Sequence, residues 1–167
     1  FDLWLEPRLA AELRLPGAVA LSAAVGRHHQ APDGEDRSAI FGGTGVGAAE
    51  AWHGVSAVAW RPADPLSLQL TGYHRRASGR LVRARDPQPA IAAAIVDDGE
   101  GRSSGLQASA RATVRGLSGH LGYLLSSSER RAPGRPWRPF EHDRRHDLQA
   151  GVGLRLGHWT VGARWRL

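Results

Sequence analysis

The sequence predicts an all-β fold in which about eight antiparallel strands follow one another as a meander. Apolar residues alternate with small or polar ones along most of the chain, as at Val152, Leu154 and Leu156. Successive side chains of a strand point to opposite faces of a sheet, so this alternation gives each strand one apolar face. No run of 18 apolar residues occurs, which excludes a helical membrane protein.

The strands are separated by connections that are alternately tight and long. Four turns are tight, and the three long connections cover residues 28–48, 76–101 and 129–145. Short turns at one end and long loops at the other are typical of bacterial transmembrane barrels. We expect the long connections to lie outside the cell and the turns to face the periplasm. The predicted strands are 3–14, 18–27, 52–61, 66–75, 105–115, 120–128, 146–156 and 158–167.

The amino-acid composition argues against several classes of protein and site. All 22 basic residues are Arg and the net charge is +6, but no basic helix or aromatic stacking motif accompanies the charge, so we expect no nucleic-acid partner. The absence of Cys excludes disulfides and thiolate metal sites. The chain begins at Phe1 and contains no Met, so we expect a piece of a longer protein.

Three groups of residues carry a resemblance to a known family. They are a G-x-G-x-S-x-G segment that leads into a strand, a Y-x-x-S strand end and a P-F-x-x-D-x-x-H connection. Together, in this order and spacing, they resemble the barrel of TonB-dependent outer-membrane receptors. The matching residues are Gly99, Gly101, Ser103 and Gly105, then Tyr123 and Ser126, then Pro139, Phe140, Asp143 and His146.

The resemblance implies a location in the outer membrane of a Gram-negative bacterium. It implies a barrel of about 22 strands, of which residues 1–167 would be a partial barrel domain without the plug, TonB box, signal peptide and terminal strands. It also implies active uptake of a scarce ligand, such as a ferric siderophore or a similar chelate. The implied partners are outer-membrane lipid and lipopolysaccharide, a small-molecule ligand, and the TonB complex through the missing plug. No catalysis and no cofactor are expected.

The sequence also suggests which residues contact a ligand. Arg presents a bidentate fork to carboxylates and phosphates, and a mouth of one charge sign focuses anions. The other interpretation of the Arg-rich loops is a solvated rim that contacts anionic lipopolysaccharide. The candidate ligand-binding residues are Arg75, Arg76, Arg80, Arg83, Arg130, Arg131, Arg135 and Arg138. Four further residues, predicted at mid-strand on the lumen side, are Arg111, Arg115, Arg155 and Arg164.

Enzymatic and metal sites are not favoured. Ser126–Ser128, Asp143 and His146 contain the residue types of a hydrolytic triad, but nothing resembles a nucleophile elbow. The spacing of His142 and His146 would place both on one face only in a helix, and no Cys or carboxylate cluster completes a metal site.

Two other architectures share the alternation. One is a small complete eight-stranded barrel, in which the first and last strands would pair. The other is a soluble β-sandwich, in which the apolar faces of two sheets would pack together. For a segment of a larger barrel, we expect an open sheet whose first and last strands stay apart.

Overall fold

The computed structural model describes residues 3–38, 43, 45–83 and 95–167, which form one antiparallel sheet. Eight long strands and one two-residue strand are present in this part of the chain. No helix of the described residues is long and apolar enough to cross a membrane. The strands are β1 (Arg8–Leu15), β2 (Val19–Gln30), β3 (Ala49–Ala63), β4 (Leu66–Arg83), β5 (Ile95–Val114), β6 (Leu117–Arg131), β7 (Arg138–Pro139), β8 (His146–Leu156) and β9 (Trp159–Arg166).

The strand order confirms the predicted meander. Neighbours in the sheet run β1-β2-β3-β4-β5-β6-β8-β9, and β7 pairs with β6. In the described residues no ladder joins β1 to β9, so the sheet is open. This excludes a closed eight-stranded barrel for these strands.

The sheet has an apolar face and a polar face. Directly paired residues of neighbouring strands have their side chains on the same face, so the register shows which residues share a face. On the apolar face, one row of such paired residues runs across seven strands. Its members are Leu13, Leu21, Val58, Leu70, Ala108, Tyr123 and Leu148.

The apolar face has no second layer against it. Leu121 and Val161 are 52% and 62% exposed, and in the described residues the only buried apolar side chains are Val46, Ala51 and Ala77. A soluble sandwich would bury this face against a second sheet. A single layer therefore rules out the sandwich for this part of the chain.

The tight turns lie close to their predicted positions. The β5–β6 turn consists of Arg115 and Gly116, both with positive φ (48° and 86°), and the β1–β2 turn contains Gly17 (79°) and Ala18 (59°). Positive φ at both residues of the two-residue β5–β6 turn is typical of a type I′ hairpin, whose twist matches that of the strands. The β1–β2 loop has three residues, because Leu15 pairs with Val19.

The largest difference from the predicted strands concerns β4 and β5. Residues 76–101 were predicted to be a long connection, but β4 continues to Arg83 and β5 begins at Ile95; residues 84–94 lie outside the described part. The alternation fades there because both faces become polar, although the backbone ladder continues. The ladder is irregular between Ala77 and Arg80, next to Gly79 with φ of 68°.

The first strand is shorter than predicted, because residues 3–7 precede β1. They still follow β2: the Arg27 amide donates to the Pro7 carbonyl at 3.0 Å, and the His29 amide donates to Glu6 at 2.6 Å. This hydrogen bond lowers the pKa of the Glu6 carboxyl below its ordinary value.

Candidate functional site

Most of the candidate ligand-binding Arg residues lie on strands, which corrects the predicted place, in the long connections, of all of these strand residues except Arg75. Arg75, Arg76, Arg80 and Arg83 belong to β4, Arg130 and Arg131 end β6, and Arg138 lies in β7. Only Arg135 lies in a connection, between β6 and β7. The reason is that the strands continue beyond the apolar rows, where the side chains of both faces are polar.

Strand alternation divides these residues between the two faces. Arg75 pairs with His53 and Ser103 on the polar face, whereas Arg76 pairs with Trp52 and Arg102 on the apolar face. Arg130 and Arg131 at the end of β6 alternate in the same way. The predicted cluster is therefore two separate groups.

On the apolar face, the Arg residues are paired with carboxylates. Arg102 is 2.5 Å from Glu129, and Glu100 accepts from Arg131 at 2.7 Å and lies 3.6 Å from Arg76. We call this group, with Arg27 and Glu50 at 2.7 Å, the charged border. It lies directly beyond the apolar rows, on the same face.

An aromatic residue from the β6–β7 connection covers the charged border. The centre of the Trp137 ring lies 4.4 Å from the guanidinium carbon of Arg102 and 4.8 Å from that of Arg131. Cation–π contacts of this kind hold the connection against β5 and β6.

On the polar face, one row combines basic and hydroxyl side chains. It crosses β1 to β6 through Arg8, Gly26, His53, Arg75, Ser103 and Ser128. The His28 and His53 rings are 4.6 Å apart, and Arg8 Nη2 lies 3.3 Å from His28 Nδ1. Sequence reasoning did not group His53, Ser103 or Ser128 with Arg75, because only the register between strands brings them together.

The four residues predicted for the lumen side have different places. Arg111, Arg155 and Arg164 lie on the polar face, with His120, Thr160 and Gly151 as their respective partners. Arg115 lies in the β5–β6 turn, outside the strands, so its predicted mid-strand position was wrong. The turn needs positive φ there, which ends the strand one residue earlier than the alternation indicates.

Of the residues considered for a triad, Ser128 and Asp143 are hydrogen-bonded, because the Ser128 amide donates to Asp143 Oδ1 at 2.9 Å. The other residues considered for a triad or a metal site have other partners. His146 Nδ1 lies 2.7 Å from the Tyr123 hydroxyl, and Ser126 Oγ donates to the Arg144 carbonyl at 2.9 Å. His142 lies beside Phe140. Among the described residues, no group of three or more His, Cys, Asp or Glu could hold a metal ion.

The fold is that of a segment of the TonB-dependent receptor barrel, which confirms the resemblance at the level of the fold. Two similar solved structures are the FrpB iron transporter of Neisseria meningitidis (F3-3 variant) and the copper transporter OprC. The TM-scores are 0.71 and 0.70, with 13% and 15% identity over 96% and 95% of this chain. The chain spans 26% of each of those chains. No family model and no curated protein matches the sequence.

Proposed function

We propose that this chain is part of the membrane-spanning wall of an outer-membrane receptor that takes up a metal in a TonB-dependent way. The observation that carries the proposal is the single open sheet with one exposed apolar face and one polar face. Exposed apolar side chains such as Leu121 and Val161 suit the hydrocarbon of a bilayer. The polar face then lines the lumen, and no catalytic step is assigned.

The ligand in this proposal is a ferric siderophore or a similar metal chelate. The two similar structures are described as an iron transporter and a copper transporter, which supports a metal as cargo. The basic residues of the polar face, among them Arg75 and Arg130, favour an anionic chelate over a bare cation.

The proposed partners of the whole protein are lipopolysaccharide and the TonB complex. The charged border adjoins the apolar rows, where Arg76 and Arg102 are 69% and 46% exposed and could contact phosphates of lipopolysaccharide. The TonB complex would act through a plug elsewhere in the whole protein. Loss of bound lipopolysaccharide from a purified R76Q/R102Q variant would support this contact, and unchanged content would contradict it.

The uptake proposal is tested in cells that produce the protein encoded by the gene. We expect the protein in the outer-membrane fraction, with heat-modifiable migration in detergent gels. We also expect energy-dependent accumulation of a chelated metal that stops when the gene or the TonB complex is deleted. A protein that stays soluble without detergent, or uptake that persists after deletion, would contradict the proposal.

A further inference from the structure

We infer that four residues of the polar face bind the oxyanion groups of the ligand. They are Arg75, Arg80, Ser103 and Ser128, which we call the polar-face cluster. The inference rests on the proposed function and deepens it, because it assigns a subsite and a charge to the ligand. That ligand would carry two or more carboxylate, phosphate or comparable oxygen anions.

The register places three members of the cluster side by side. Arg75 of β4 pairs with Ser103 of β5, and Ser103 pairs with Ser128 of β6. The two hydroxyl groups are 3.2 Å apart, with Ser128 Oγ donating to Ser103 Oγ. One guanidinium and a connected pair of hydroxyls therefore lie next to each other, which is a set of donors suited to an anion.

A glycine brings the fourth member to the same place. The side chain of Arg80 lies over Gly101, and its Cδ and Nη1 atoms are each 3.2 Å from the position that a Cβ atom on Gly101 would take. Gly101 is the polar-face partner of Ala77, two residues along β4 from Arg75. A larger side chain at 101 would push Arg80 away from the cluster.

The cluster lines a cavity large enough for part of a ligand. This cavity measures about 220 Å³ and also includes Arg130 and Phe140. A neighbouring cavity of about 700 Å³ shares Arg75 and Arg80 and extends to His28 and His53. Its lining also includes the acidic residues Asp33, Asp36 and Glu50. The anionic groups of a ligand would occupy the smaller cavity, and the rest of the ligand would extend into the larger one.

In the described part of the chain, no ion pair holds the two guanidinium groups of the cluster, and the Asp143 carboxylate next to the cluster accepts from the Ser128 amide at 2.9 Å. Among the described residues, the guanidinium groups of Arg75 and Arg80 have no carboxylate partner within ion-pair distance, whereas Arg76 has Glu100. Of the other charged residues that line the smaller cavity, Glu129 and Arg102 form an ion pair with each other on the apolar face at 2.5 Å, and Arg130 is paired with Glu141. Two neighbouring uncompensated cations repel each other and attract an anion. They also repel a bare metal ion, so the bound species is a chelate with net negative charge.

The test compares two adjacent residues on opposite faces. Binding of the Fe(III) complex of citrate, and of a neutral Fe(III) trihydroxamate, is measured by titration calorimetry with the gene-encoded protein in detergent. We expect saturable binding of the citrate complex, about tenfold weaker in R75Q and in R80Q, and unchanged in R76Q. Raising the NaCl concentration should weaken it further.

Several outcomes would overturn the inference. They are no saturable binding of the citrate complex, equal affinity for the neutral chelate, or equal effects of R75Q and R76Q. Heat-modifiable migration in detergent gels shows whether each variant forms a folded barrel. It therefore distinguishes a wrong subsite from a wrong proposed function. A correctly inserted protein that transports metal with R75Q unaffected would disprove the subsite alone, whereas a protein that does not insert would disprove both.

Discussion

His120 of β6 lies over Gly151 of β8, and its imidazole ring fills the space that a Cβ atom on Gly151 would need. The two residues are direct partners in the ladder, so neither backbone can move away without breaking it. The His120 side chain is exposed and can turn away, so we expect Gly151→Ala to displace the ring and to lower the free energy of unfolding by about 0.5–1.5 kcal/mol, the cost of an unfavourable rotamer. Urea titration of the protein folded in lipid vesicles would measure the loss.

Gly122→Ala is the matched control for this substitution. Gly122 also lies on the polar face of β6, and a Cβ atom there would meet nothing within 4 Å. We expect its free energy of unfolding to stay within about 0.5 kcal/mol of the original, as for an open surface position. Equal losses for both variants would contradict the packing of His120 on Gly151.

The exposed apolar face should tolerate no charge near its centre. Leu121 lies midway along the apolar stretch of β6 and is 52% exposed. If this face meets the bilayer, Leu121→Arg should cost roughly 2–4 kcal/mol of folding free energy in vesicles. Ser109→Arg, on the polar face of the neighbouring strand, should cost much less. Equal costs in the two variants would argue against lipid on the apolar face.

Alternation and turn residues were sufficient to predict the meander, and the resemblance to a larger barrel predicted the open sheet. In β8, Leu148, Val152 and Leu154 alternate with polar or small residues, and each apolar residue lies on the same face. The length of β4 could not be predicted in this way. Beyond Tyr73 both faces carry polar side chains, as at Arg75 and Arg76, and the ladder is held by backbone hydrogen bonds, which leave no mark on the side-chain pattern.

The candidate site was only partly accessible to sequence reasoning. An Arg-rich segment predicts a positive patch, but it does not show that Arg75 and Arg76 face opposite sides. Pairing of Arg75 with His53 and Ser103 depends on the register, which is set by contacts between residues far apart in sequence. The acids that neutralise Arg76 and Arg102 lie on neighbouring strands for the same reason.

Trp137 should protect the connection between β6 and β7 from proteolysis. Its ring contacts the guanidinium groups of Arg102 and Arg131, and two exposed cation–π contacts together contribute about 1–2 kcal/mol. Without them the connection would open more often. Arg135 and Arg138 are each followed by Pro, which blocks trypsin, so the cleavable bond of this connection is the one after Arg131. We expect trypsin to cut Trp137→Ala after Arg131 roughly five to thirty times faster than the original protein. Trp159→Ala, which removes a 77% exposed ring next to the β8–β9 turn, should leave the rate unchanged; an equal increase would contradict the role of Trp137.

The orientation of the sheet can be tested with epitope tags, because its two ends differ in kind. One end carries the tight turns, and the other carries the connection that contains Gly134, which has φ of 62° and lies between β6 and β7. Long connections of outer-membrane barrels lie outside the cell and short turns face the periplasm. A tag inserted after Gly134 should therefore bind antibody on intact cells, whereas a tag after Gly17 in the β1–β2 turn should bind only after the outer membrane is permeabilised. Labelling of the Gly17 tag alone on intact cells would show that the sheet has the opposite orientation. The polar-face cluster lies at the Gly134 end of the sheet and would then be on the periplasmic side. It could not capture a ligand that arrives from outside the cell.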